Sequence, residues 1–148
     1  MSLYYQDIEV GARYTTPDHT ITSEDIADFC RLTRDHHPLH TDAAFAEAAG
    51  FPAIIAHGLY GLALMEGLKT ELRHYETSSI ASLGWNNVRF VKPILAGDTV
   101  RVEMEFTAKR ESSSRPAGVI TEAVRLVDAS GALLIDAEHI SLIRMAPS

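Results

Sequence analysis

The chain has 148 residues, 46% of them hydrophobic and 22% charged, enough for one domain (1–148) with a core of its own. A net charge of −7 excludes the broad basic face that a nucleic-acid footprint needs. The single cysteine, Cys30, excludes an intrachain disulfide, and the longest apolar stretch, 51–65, is broken by Pro52 and His57 and is too short to span a membrane. The first ten residues carry Asp7 and Glu9 and no apolar core, so they do not read as a signal peptide, and the expected location is the cytoplasm.

In chain order, Tyr4, Tyr5 and Ile8 are expected to pack on the domain edge, and residues 11–16 and 19–21 read as short extended pieces around Pro17-Asp18. Thr22-Ser23 with Asp25 is an N-cap signal. Ile26, Phe29, Cys30 and Thr33 recur at helical spacing after it, and Cys30 reads as a small buried hydrophobe on that face. The helix is expected to deliver Asp35 at its end, because Pro38 lacks a donor and pushes His37 toward extended geometry. Thr41 then reads as the N-cap of a short helix, 43–49, closed by Gly50. A long helix is expected over 56–73, about 27 Å at 1.5 Å per residue. Its apolar residues (among them Leu59, Leu62, Met65 and Leu68) fall on more than one face, which places it inside a core. Gly58, Gly61 and Gly67 read as points where strands come close.

From residue 80 the period changes to two. Strands are expected over 80–91, then from Val100, with Val102, Met104, Phe106 and Ala108 alternating against Arg101, Glu103, Glu105 and Thr107. A Ser-rich loop at 111–118 precedes a strand at 119–127, a turn at Asp128–Gly131 and a last strand at 133–145. The sum is an α+β domain, one long helix wrapped by a curved, mainly antiparallel sheet.

The residues that carry chemistry sit in Arg34-Asp35-His36-His37-Pro38-Leu39-His40 and in Ala56-His57-Gly58. A bend at Pro38 lets Asp35 and His40, five positions apart, converge on one point. A carboxylate and an imidazole within reach of one water can add it across a polarised double bond, one group taking a proton and one returning it. Charge building on a carbonyl oxygen needs backbone donors, which a helix start supplies, and Gly58 lets a substrate come close to that backbone. His57 reads as a donor to a backbone carbonyl that holds the helix start. A metal held by His36, His37, His40 and His57 is not expected, because Pro38 interrupts their helical spacing.

The run from Asp35 to Asp42, then Phe45-Ala46 and Ala56-His57-Gly58-Leu59, resembles the signature of the MaoC-like dehydratases, which include the (R)-specific enoyl-CoA hydratases, or hydratase 2. Asn86, Arg89-Phe90, Lys92-Pro93-Ile94 and Gly97-Asp98-Thr99 resemble the strand and turn that come next in that family. The resemblance implies a hotdog fold, a coenzyme A thioester substrate with no further cofactor, and sheets paired edge to edge in a homodimer or larger homo-oligomer. It further implies that Asp35 and His40 hold the catalytic water and that the Gly58 amide binds the thioester oxygen. The chain departs from the family pattern at Arg34, where glycine is usual, and His37, where asparagine is usual. Arg34 is then either a ligand of the nucleotide phosphates, with Arg89 and Lys92, or a solvated charge. His37 either replaces the orienting hydrogen bond of the amide or alters the substrate. Two other readings use the same fold: a thioesterase with Glu66 on the long helix as nucleophile or base, and an acyl-thioester binder without catalysis.

Overall fold

The structure is a computed structural model that describes all of residues 1–148. Short pieces β1 (Arg13–Thr15) and β2 (His19–Thr20) precede helix α1 (Ser23–Thr33). Two brief helices, α2 (Pro38–Thr41) and α3 (Ala43–Ala48), lead to the long helix α4 (Gly58–Thr70), and four long strands complete the chain: β3 (Ser79–Phe90), β4 (Thr99–Glu111), β5 (Ala117–Asp128) and β6 (Leu133–Arg144). They form one six-stranded sheet in the order β1-β4-β5-β6-β3, with β2 also paired to β4. Every pairing is antiparallel.

The period-two pattern of β4 sends Val100, Val102, Met104 and Phe106 into the core, none more than 3% exposed. The expected series fails at Ala108, which is exposed. A register shift between Phe106 and Ala108 inverts the facing of the remaining strand. Lys109 then turns back, and its ammonium donates to the carbonyls of Tyr5 and Ile8, pinning the N-terminal segment. At the β5–β6 turn, Asp128 Oδ1 accepts from the Ser130 amide and hydroxyl and from the Ala132 amide. The Ser130 hydroxyl first, then the Ala132 amide, hold its carboxyl down at about 2.

Helix α4 lies across this sheet and is shorter than the expected span of 56–73. His57 is its N-cap and Glu71 its C-cap. Gly61, Met65, Leu68 and Lys69 form its buried stripe, with Met65 and Leu68 packed among Val102, Val124, Leu126, Ile135 and Ala137. Within one chain the helix is not wrapped on all sides. Leu59 is 64% exposed, because a single sheet covers a single face. Of the three helix glycines, Gly61 meets the sheet most closely: a Cβ there would lie 2.5 Å from Ile135 Cδ1 of β6, and 2.7 Å from Ile94 Cδ1 in the loop after β3. Gly67, expected to do the same, faces open space. No helix is long and apolar enough to cross a membrane.

Candidate active site

Helix α1 begins with a capping box between Thr22 and Asp25 and stops at Thr33. Arg34 ends it in the left-handed region (φ 69°), with its amide donating to the Cys30 carbonyl at 2.8 Å. Asp35 therefore comes after the helix end and stands outside the helix. A left-handed conformation costs a residue with a Cβ roughly 1–2 kcal/mol, and the greater freedom of unfolded glycine offsets part of any relief. Arg34→Gly is expected to raise the thermal midpoint by about 2–4 °C, measured by calorimetry. An unchanged or lower midpoint would show that the arginine side chain compensates for its backbone.

The next turn is held by side chains. The Asp35 carboxylate accepts from the His37 amide at 3.3 Å, and His37 Nδ1 accepts from the Leu39 amide at 3.2 Å. His37 is thus the N-cap of α2, with Pro38 in its first turn. The expected cap Thr41 is instead the last residue of α2, and Asp42 caps α3 through the Phe45 amide. Aspartate accepts an amide proton as well as threonine does and adds a negative charge at the helix start.

His40 sits in α2 with Nδ1 2.7 Å from the carbonyl oxygen of Ile55. A carbonyl only accepts, so Nδ1 carries a proton and a neutral His40 presents Nε2 as a bare acceptor. Ile55 is fixed in turn, its amide bonded to the Leu39 carbonyl and the next amide, of Ala56, to the carbonyl of Ile94. His57, 4% exposed, places Nε2 2.9 Å from the backbone oxygen of Asp35 and 3.9 Å from its carboxylate. Its ring stacks on that of His40, with centroids 3.7 Å apart. Ligand atoms of Asp35, His40 and His57 all lie within 4.8 Å of one another. One water making two bonds of about 2.8 Å spans such a gap. These three side chains are also spaced for a shared cation. The His57 nitrogen nearest the carboxylate is engaged by the Asp35 carbonyl, however, leaving fewer free ligands than a tetrahedral metal takes.

Gly58 begins α4, where the first N–H groups have no partner within the helix and the helix dipole is positive. Gly58 also lines a pocket of about 230 Å³ walled by Phe51, Ile55, Phe90, Ile94 and Ile135, with Lys92 at its side. Of the other expected binding residues, Arg34, His37 and Arg89 are exposed, and Lys92 reaches Asp128 at 3.4 Å. Arg34 and Arg89 form no salt bridge within the chain. Cys30 is buried, 3.6 Å from His57 Nε2, and burial first, then the Asp35 charge, push its thiol up, which makes it a poor nucleophile.

Glu66 stands eight residues along α4 from Gly58, about 12 Å by helical rise. It pairs with Lys69 at 3.2 Å and lines a different, polar pocket with Thr70, His74, Tyr75, Glu76 and Ser79. Beneath that pocket lies a buried network that sequence reasoning missed. Lys69 Nζ is 2.5 Å from Glu122 and 2.8 Å from His139 Nδ1, Tyr75 donates to Glu122, and His139 Nε2 meets Ser82. Its one sequence signal is a glutamate in the inward phase of β5, where Ile120, Val124 and Leu126 are its buried neighbours. Neither the Ile55 carbonyl nor the stacking of His57 leaves any mark in the residue types.

The fold and this site define a class: a long helix laid on an antiparallel sheet, with a carboxylate and an imidazole meeting at the helix start. A chain from Mycobacterium tuberculosis described as having a double hotdog fold superposes with a TM-score of 0.88 at 21% identity, over 99% of this chain and 46% of that one, and the fold is accordingly a hotdog. The family model described as a MaoC like domain matches residues 7–126, and the chain belongs to that family. It is 33% identical over 135 residues to the (R)-specific enoyl-CoA hydratase of Aeromonas caviae, covering 91% of this chain and 95% of that one. It is 32% identical over 109 residues to Protein MaoC of Klebsiella aerogenes, covering 74% of this chain but only 31% of that longer protein.

Proposed function

We propose that the chain catalyses the reversible addition of water to a trans-2-enoyl thioester of coenzyme A, giving the (R)-3-hydroxyacyl thioester. The observation that carries the reading is the gathering of the Asp35 carboxylate with the His40 imidazole, ligand atoms within 4.8 Å, while the Ile55 carbonyl engages Nδ1 and leaves Nε2 as a bare acceptor. The A. caviae hydratase, similar over nearly its whole length, supports the reaction class and its stereochemistry.

In the hydration direction, water donates one O–H to Asp35 and the other to His40 Nε2. As the oxygen attacks the β-carbon, His40 takes that proton and becomes an imidazolium beside the Asp35 carboxylate. The electron pair of the double bond moves onto the thioester oxygen, where the Gly58 amide stabilises the enolate. The imidazolium then returns its proton to the α-carbon, so that hydroxyl and hydrogen both come from one water and no cofactor is consumed. Arg34, Arg89 and Lys92 are the cations proposed to meet the nucleotide phosphates of a chain that is otherwise acidic. His37, with Nδ1 committed to the Leu39 amide, positions the turn. The open outer face of α4 and the unpaired edge of β3 support a homodimer.

The test is incubation with crotonyl-CoA, following the conjugated enoyl absorbance and free thiol together. Loss of absorbance without thiol release is expected. Thiol release would move the assignment to a thioesterase, and no change in either signal, with the thioester still bound, would leave a binder. The thioesterase reading gains nothing from Glu66, which is ion-paired to Lys69 and lies in the other pocket.

A further inference from the structure

Phe90 has no place in the hydration chemistry, yet it is the more exposed of the two phenylalanines lining the 230 Å³ pocket, 54% exposed in the single chain. The walls behind it cannot yield: Ile94 and Ile135 are 3% and 1% exposed and belong to the main core. Its backbone is fixed as well. Phe90 pairs with Ile135 across the sheet, and the next amide, of Val91, bonds to the carbonyl of Leu134. The ring lies over the first residue of α4. A Cβ built on Gly58 would sit 2.8 Å from three of its carbons, inside van der Waals contact. Glycine at 58 therefore admits this ring as well as any substrate.

An aromatic plate on a rigid strand end, against the amide proposed to hold the thioester oxygen, stands where the first carbons of a bound acyl group must pass. We propose that Phe90 selects acyl size at this site, its ring closing off space that a longer chain would fill. The inference rests on the hydratase reading for the identity of the ligand, but not for its test. Phe90 is half exposed, so truncating it leaves the core intact, whereas truncating Ile94 or Ile135 would open a cavity.

The experiment titrates butyryl-CoA and octanoyl-CoA, which cannot be hydrated, into the wild-type protein and the Phe90→Ala and Phe90→Leu variants by calorimetry. Each additional buried methylene is worth about 0.8 kcal/mol, or roughly fourfold in affinity. The ratio of octanoyl to butyryl affinity is expected to rise at least tenfold in Phe90→Ala and by an intermediate factor in Phe90→Leu. A ratio within twofold of wild type in both variants would overturn the proposal, as would equal loss for both chain lengths, which would make the ring simple packing. Failure of the wild type to bind either thioester would overturn it too. A shifted ratio in a protein that does not hydrate crotonyl-CoA would keep the selector and discard the reaction.

Discussion

Asp35→Asn and His40→Ala are each expected to lower turnover on crotonyl-CoA by about 10² or more, with far smaller changes in KM. Asparagine is the informative replacement at 35. Its side-chain oxygen still accepts from the His37 amide, so the turn keeps its staple and only the charge is lost. An effect of that size then reports on water and imidazolium and leaves folding out of account. At 40, alanine removes both the bond to the Ile55 carbonyl and the imidazole gathered with Asp35. If the two groups share one water, the double variant is scarcely slower than either single one, because effects of residues that act as a unit do not add. Near-native turnover in both single variants would remove the dyad from the mechanism. Multiplicative losses would show that the groups work on separate steps.

Lys69→Met is expected to destabilise the fold by about 3–5 kcal/mol, since it strands a buried carboxylate without its cation. Glu122 is fully buried and Lys69 4% exposed. Burial by itself would raise the Glu122 carboxyl, but hydrogen bonds from His139, Lys69 and Tyr75, with the Lys69 charge, outweigh it and hold the group down at about 2. The same carboxylate drives the Tyr75 hydroxyl upward, after burial, the larger cause. A carboxyl whose folded value lies below its unfolded value of 4.5 stabilises the fold above 4.5 and loses that contribution as pH falls toward 2. Urea unfolding of the wild type should therefore weaken across that window by on the order of 3 kcal/mol more than it does in Glu122→Gln. Parallel pH curves for the two proteins would show that Glu122 is not held ionised. Lys69→Met/Glu122→Gln should recover part of the loss of Lys69→Met, because the stranded charge is gone.

The elements legible from the sequence were those whose signals are local. Thr22 and Asp25 announce a capping box through side chains three residues apart. Alternation fixes the facing of β4 up to Phe106, and the four-residue turn at Asp128 is built by contacts no more than four positions apart. The errors fall where one local signal competes with another. Thr41 and Asp42 are both good N-caps, and α3 starts from the stronger, Asp42. Ala108 comes after a bulge that no residue type marks. The expected early start of α4 put Ala56 and His57 inside the helix, whereas Ala56 bonds to Ile94 and His57 is the cap.

The residue types alone determined that Asp35 and His40 flank a proline bend, that a long apolar helix follows near Gly58, and that the second half of the chain is antiparallel strands. They did so because capping, proline geometry and side-chain periodicity act over a few residues. Tertiary structure alone decided which nitrogen of His40 is free, that His57 stacks behind it, that Phe90 lies over Gly58, and that Lys69, Glu122 and His139 meet in one buried network. Each of those contacts joins residues 15 to 70 positions apart, His57 on His40 being 17 positions apart, and only folding brings them within reach.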